Sequence, residues 1–454
     1  GPFEKGPVGS VTLVGSEEQL LKMFGKPQAS SNQFETWFTA SNFLQYSDAL
    51  RVVRCASGIL NAGADSGILI RDDDHYEASF STGQGSHGEW AARTAGTWGN
   101  AIGVQICNTA TTYEQDLAVN NQVASAGAVA DTTITVDNAD ETGWAFNIGD
   151  LISFYSDTSN TVPVDEFNEY EVTAANTSTN VLTIRLKDDP NGQGLQNTIA
   201  DNSYIKRRWR YYDLFDGAPG TSDWATDNGG GSSNDELHIV VYDTSGAITG
   251  FAGGVCTTGA AGANGARTAS VLETYGNLSK NSVAKTAQGA SNYYPDAIFQ
   301  GSNYIYWTDH ISGGSNWGTN ITTAYSSVIP TTIDALTGGT DDYAVSAGEL
   351  QIGYDKFDNT ETLDINLVMG GKGGGAGDTK TTQDTHVTMI TDLVETRKDC
   401  VGFVSPYRAG HVGLAASSAT SATATENVKI AFDLCPSSSY MVYDSCYKYM
   451  YDKY

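Results

Sequence analysis

Between residues 119 and 188 the chain falls into short β-branched and aromatic runs, each cut off by Asn, Asp, Gly or Ser. The runs are Thr133-Ile134-Thr135-Val136, Leu151-Ile152-Ser153-Phe154, Tyr170-Glu171-Val172-Thr173 and Val181-Leu182-Thr183-Ile184. Regular short strands with turn signals between them specify a small β barrel or sandwich. Both flanks have a different texture, so 119–188 reads as a module inserted into a host. A chain of 454 residues exceeds what one small core supports, which also predicts several domains.

The host sequence mixes helix and strand signals. Ser16 and Gln19 have capping-box spacing ahead of an apolar stripe at Leu20, Leu21 and Phe24, and Gly25 and Pro27 supply the stop. A second helix is predicted over about 32–46 and a strand at 50–54. Residues 58–118 are turn-rich, with strands expected at 68–70 and 102–106. Beyond the module, 237–242 reads as a strong strand, 270–278 and 292–300 as helices, and 304–307 as a strand. Pro295 restricts the second of those helices to a late start. In the last part, Ser346 and Glu349 form another capping box before Leu350, Tyr354 and Phe357. A strand at 363–369, a helix carrying Val387, Ile390 and Val394, and a strand at 400–404 make a strand–helix–strand unit. That order predicts parallel strands covered by helices. The expected fold class is therefore an α/β core with a helix-flanked sheet, bearing β-rich inserted outer domains. Its expected parts are a core from 1–57 plus 338–454, a mixed α+β second domain from 58–118 plus 189–337, and the module at 119–188.

Charge narrows the functions. Lys and Arg number 25 against 53 Asp and Glu, a net charge of −28. Such a surface repels phosphate, which argues against nucleic-acid binding. No apolar run approaches the length of a membrane span. The six cysteines form no C-x-x-C pair, so they read as reduced thiols, with Cys55 and Cys400 as small buried apolar residues. The chain begins at Gly1 with its earliest Met at Met23, and reads as part of a longer or processed protein.

Chemical motifs are sparse. The glycine-rich stretch from Gly370 to Lys380 lies where a phosphate loop would lie, but it lacks the G-K-[ST] ending. Arg71 to Glu77 gathers carboxylates and His75 without the spacing of a calcium loop, so a solvated acidic turn is expected. Neither G-x-S-x-G nor H-E-x-x-H occurs. Asn176, Asn277 and Asn320 begin N-x-[ST] triplets, a pattern short enough to arise by chance. No catalytic, cofactor-binding or metal-ligating residue is assigned. The one basic, aromatic stretch is Lys206-Arg207-Arg208-Trp209-Arg210-Tyr211-Tyr212. Three readings of it compete: a strand with one charged face, a patch that docks on an acidic sibling, or a nucleic-acid site, which the net charge disfavours. Lys206, Arg207, Arg208 and Arg210 are the candidate subunit contacts.

An ordered set of motifs resembles the sheath protein of contractile phage tails of the T4-like type. It runs from Gly1-Pro2-Phe3-Glu4-Lys5-Gly6-Pro7 through Phe24-Gly25-Lys26-Pro27, Phe43-Leu44-Gln45-Tyr46 and Leu50-Arg51-Val52-Val53-Arg54. It continues with Val271-Leu272-Glu273-Thr274-Tyr275, Ser291-Asn292-Tyr293-Tyr294, Tyr304-Ile305-Tyr306-Trp307 and Thr337-Gly338-Gly339. It ends with Asp399-Cys400, Ser405-Pro406, Tyr447-Lys448-Tyr449 and Tyr451-Asp452-Lys453-Tyr454. The resemblance covers most of the chain outside 119–188. It implies a virion structural subunit, not an enzyme, without cofactor, on a core of the "subtilisin-like" sheath type. It also implies assembly in the host cytoplasm into stacked six-subunit rings around a tail tube. Partners would be copies of itself, the tube protein, the baseplate and the tail terminator, with no direct contact to nucleic acid or membrane. The N-terminal arm and the C-terminal tube-facing domain of that family have no counterpart within these 454 residues. The competing expectation is an acidic, β-rich virion surface protein that binds host glycans through exposed Tyr and Trp.

Overall fold

The computed structural model describes residues 1–116, 121–141, 144–157, 159, 161–189, 191–253, 267–320, 324–328, 332–373, 379–412, 421–445 and 447–454. The chain opens with a strand, Thr12–Val14 (β1), and a helix, Glu17–Phe24 (α1). The Ser16 hydroxyl caps α1 by accepting the Gln19 N–H at 3.1 Å, and the Gln19 side chain accepts the Gly15 N–H at 2.8 Å. Gly25 closes the helix at φ 80, a conformation that favours glycine, and a Cβ there would run into Glu4. The second helix, Phe34–Phe43 (α2), starts later than 32 because Ser31 and Asn32 sit at positive φ. Leu50–Val52 (β2) pairs antiparallel with β1, Thr12 opposite Val52.

A buried strand, Ile102–Cys107 (β3), leads to the outer sheet: Glu114–Asp116 (β4), Thr133–Thr135 (β5), Leu151–Tyr155 (β6), Tyr170–Asn176 (β7), Val181–Leu186 (β8) and Tyr204–Arg208 (β9). Its six strands run in the order β4-β9-β6-β7-β8-β5 with every neighbouring pair antiparallel. Ile134, Phe154, Tyr170, Leu182 and Ile205 share its core. The sheet thus extends beyond the expected 119–188. The chain enters on β4 and leaves on β9, and these two strands pair with Lys206 opposite Asp116. The run of three cations in β9 hides its inward alternation, so its side-chain pattern does not read as a strand of this module.

Next come Glu236–Asp243 (β10), Val271–Ser279 (β11), the helix Tyr294–Gly301 (α3) and Thr332–Ala335 (β12). These strands form an antiparallel sheet with β3 in the order β11-β10-β3-β12. The helix expected at 270–278 is corrected here: the segment is β11, paired along β10. The β10 residues Leu237 to Asp243 are all buried, and its backbone groups need partners on both sides. That demand overrides the local helical preference. Pro295 occupies the first turn of α3, where its missing N–H costs nothing. Trp90, Ile239, Tyr294 and Trp307 lie in the largest cluster of buried apolar residues.

The last part holds Ala347–Asp355 (α4), Leu367–Met369 (β13), Lys380–Arg397 (α5), Val401–Val404 (β14), Ser421–Asp433 (α6) and Met441–Tyr443 (β15). Ser346 and Glu349 make the expected capping box on α4. The three strands are parallel in the order β13-β14-β15, and Val387, Ile390 and Val394 of α5 pack with Val368 and Val404. The first 57 residues join this unit by side chains and not through a common sheet. Val53 and Cys55 pack with Leu350 and Met389, and the Lys372 ammonium donates to Ser31 O at 2.9 Å. The molecule is a multidomain protein of mixed helix and sheet.

Candidate functional site

The basic stretch at 206–212 forms the joint between the outer sheet and the four-stranded sheet. Strand alternation sends Ile205 and Arg207 inward and leaves Lys206 and Arg208 on the half-buried face. Arg207 meets Asp150 at 3.1 Å, with their side chains 0% and 2% exposed, and donates to Thr111 O at 3.0 Å. Lys206 pairs with Glu114 at 2.7 Å, and Arg208 with Glu114 at 2.7 Å and Glu169 at 2.6 Å. Arg210 and Arg185 share the buried carboxylate of Glu171, at 3.2 Å and 2.8 Å. Beyond the strand, the Trp209 indole donates to Gln105 Oε1 of β3 at 2.9 Å and stacks on Phe215. Arg267 completes the joint by donating to Arg210 O and by pairing with Asp213 at 2.7 Å.

These contacts set the ionisation of the joint. Burial works against Glu114 and Asp213, yet the adjoining cations hold both carboxylates below their ordinary range. Arg208 is held charged beyond its usual range, with Glu114 and Glu169 outweighing its desolvation. Asp150 goes the other way: burial raises it, against the pull of Arg207. All four candidate contact residues thus have carboxylate partners within the chain. These ion pairs tie the outer sheet together internally, and Trp209 carries the contact to β3; a neighbour is not needed to account for these charges.

The other sequence candidates are also engaged locally. Asp72 caps the helix Asp73–Ser79 by accepting the His75 N–H at 2.9 Å, and Asp73 accepts from Arg93 at 2.9 Å and from Tyr306 at 2.6 Å. Among the described residues no group of three His, Cys, Asp or Glu could hold a metal ion. In the glycine-rich stretch, Thr379 caps α5; residues 374–378 lie outside the described residues. Most of the low-complexity run at 252–265 lies outside them too. Cys55, Cys107 and Cys400 are buried free thiols, while Cys256 and Cys446 lie outside the described residues.

One feature has no sequence signal. A cavity of about 660 Å³ is lined by residues 49–53, which include β2, and by residues 364–371, which include β13. Ala40 and Phe43 of α2, and Leu350, Tyr354 and Phe357 from α4 and the turn after it, complete its walls. His386 of α5 also reaches it and shares a hydrogen bond of 3.1 Å with the Tyr354 hydroxyl. Burial lowers the His386 pKa to about 4, so the ring is neutral near pH 7. The walls come from segments some 300 residues apart in the sequence, and for that reason no local pattern announces the slot.

The fold is of mixed helix and sheet, and the sequence relatives are tail sheath proteins. Three curated tail sheath proteins align with the whole chain. That of Vibrio phage KVP40 is 25% identical and covered over 66% of its length; that of Enterobacteria phage T4 is 24% identical and covered over 65%. That of Salmonella phage ViI is 23% identical, with 62% covered. The T4-like tail sheath resemblance carried by the ordered motifs is thus supported along the entire chain, which spans just under two thirds of the length of these relatives. No family model matches the chain. No helix among the described residues is long and apolar enough to cross a membrane.

Proposed function

We propose that this protein is the subunit of a contractile phage tail sheath. Copies form stacked six-subunit rings around the tail tube. The sheath assembles in the host cytoplasm between baseplate and tail terminator. Contraction, triggered at the baseplate, drives the tube through the host envelope for genome delivery. The observation that carries this reading is the alignment of all 454 residues with tail sheath proteins of three phages. In this reading the core from 1–57 plus 338–454 is of the subtilisin-like sheath type, and the outer sheet decorates the outside. Energy for contraction comes from unequal contacts in the extended and contracted lattices, since a transition needs states of different interaction free energy. Negative-stain microscopy of the full-length gene product under assembly conditions tests it. Tubes with an axial ring repeat are expected; a population of monodisperse monomers would contradict it.

A further inference from the structure

We propose that β12 is a detachable edge strand whose docking is controlled by the Asp334 carboxyl, an acid set into an apolar row of the four-stranded sheet. This goes beyond the sheath reading and does not depend on it. Asp334 pairs with Val104 of β3, and Val104 pairs with Val241 of β10. Residues paired across neighbouring strands share a face of the sheet. Asp334 therefore stands third in a row whose other two members are 0% exposed and belong to the largest apolar cluster. Leu336, two residues on, packs into the same cluster. The row turns the Asp334 side chain toward the core. Its Oδ2 is buried without a hydrogen-bond partner among the described residues. So is the indole N–H of Trp90, a fully buried member of that cluster.

These surroundings make the ionised carboxyl costly. Burial acts first and the like charges of Glu89 and Asp65 next, and together they push the Asp334 pKa up to about 7. The Trp90 indole favours the ionised form but makes no hydrogen bond to it. Tyr242 also senses Asp334, and its own pKa is raised by burial, so it carries no charge near neutrality. The charged groups acting on Asp334 are thus both acidic. The strand that carries it can yield. It is four residues long, pairs with β3 alone and has no strand on its other side among the described residues. Thr337 and Thr340 beyond it are bonded separately to Gly63 and Leu60, so β12 can leave without breaking those bonds. In the docked strand the carboxyl keeps its proton up to about pH 7, whereas a solvated aspartate releases it near pH 3.9. Only the docked state holds this proton in between. Docking therefore weakens as the pH rises from about 4 to about 7 and is level above that. Release of β12 bares the backbone edge of β3 and the apolar cluster beneath it.

Hydrogen exchange on the intact protein, read by mass spectrometry at pH 5, 7 and 8 and corrected for the intrinsic exchange rate, tests this. Protection of residues 332–335 is expected to fall roughly 50-fold between pH 5 and 7 and to stay level to pH 8. The strand β11, at the opposite edge of the same sheet, is the internal reference and should show no such fall. In D334N, whose amide stays uncharged, β12 should keep its protection throughout. Unchanged protection of β12 in the unaltered protein, or an equal loss in β11, would overturn the proposal. An equal decline of β12 in D334N would also overturn it, because the controlling group would then be another. Far-UV circular dichroism checks that D334N is folded; if it is not, the contrast between β12 and β11 in the unaltered protein decides alone.

Discussion

The outer six-stranded sheet and the region around β2 and β13 differ in how completely they use their own bonding groups. In the outer sheet, cations that could have served a neighbour are paired inside: Arg207 with Asp150, Arg210 with Glu171, Arg208 with Glu114 and Glu169. Around the slot, β2 pairs with β1 and β13 with β14 but not with each other, and Leu13, Tyr46 and Leu367 are exposed. Charge is conspicuous in a sequence and draws attention to the first region. Open backbone edges are silent in a sequence, and they place the unspent contacts in the second.

The comparison can be broken most severely at Arg207. Replacing it with Ala leaves Asp150 buried without its cation, and removal of one partner of a buried pair costs about 3–5 kcal/mol. Chemical denaturation of R207A should therefore show a large loss of stability. A change below about 1 kcal/mol would mean that the joint is not held by this pair.

Acid should separate the two regions. Folded His386 stays neutral down to about pH 4, whereas in the unfolded chain it titrates near 6.5. Only the unfolded state takes up this proton in between, so stability falls as pH drops through that window, by about 3 kcal/mol at most. Glu114 and Asp213 have depressed folded values, so their contribution persists until the pH falls below the ordinary carboxylate range. Proteolysis at pH 5 should thus cut near 345–412 before it cuts within 114–208, and H386Q should flatten the decline. The opposite order of cleavage would reverse the ranking of the two regions.

The smallest effect is expected at Lys206. It pairs with a partly exposed Glu114 on the half-buried face, and K206E should cost no more than about 1 kcal/mol. A loss as large as that of R207A would show that the alternation between inward and outward cations has no energetic meaning.

Local chemistry explains which elements the sequence revealed. The strands at 133–135, 151–155, 170–176 and 181–186 announce themselves by β-branched runs between turn residues, and the helices at 17 and 347 by their capping side chains. The strand at 271–279 was hidden because its identity is imposed by the unpaired edge of β10 and not by its own residues. Lys206 to Arg210 read as a surface patch because the carboxylates that neutralise them lie between 39 and 94 residues away in sequence. Gly1, β2 and β13 meet only through the tertiary fold, so the slot could not be read at all.

The most direct test of this contrast is excision of the outer sheet. Trp209 N–H donates to Tyr113 O at 2.8 Å, so the two ends of 114–208 already touch and a short glycine bridge can replace the segment. Full-length protein lacking 114–208 is predicted to fold and, on the sheath function proposed above, still to form tubes under the electron microscope. Folded, monodisperse protein that forms no tubes would show that the outer sheet carries the assembly contacts, and would contradict the account.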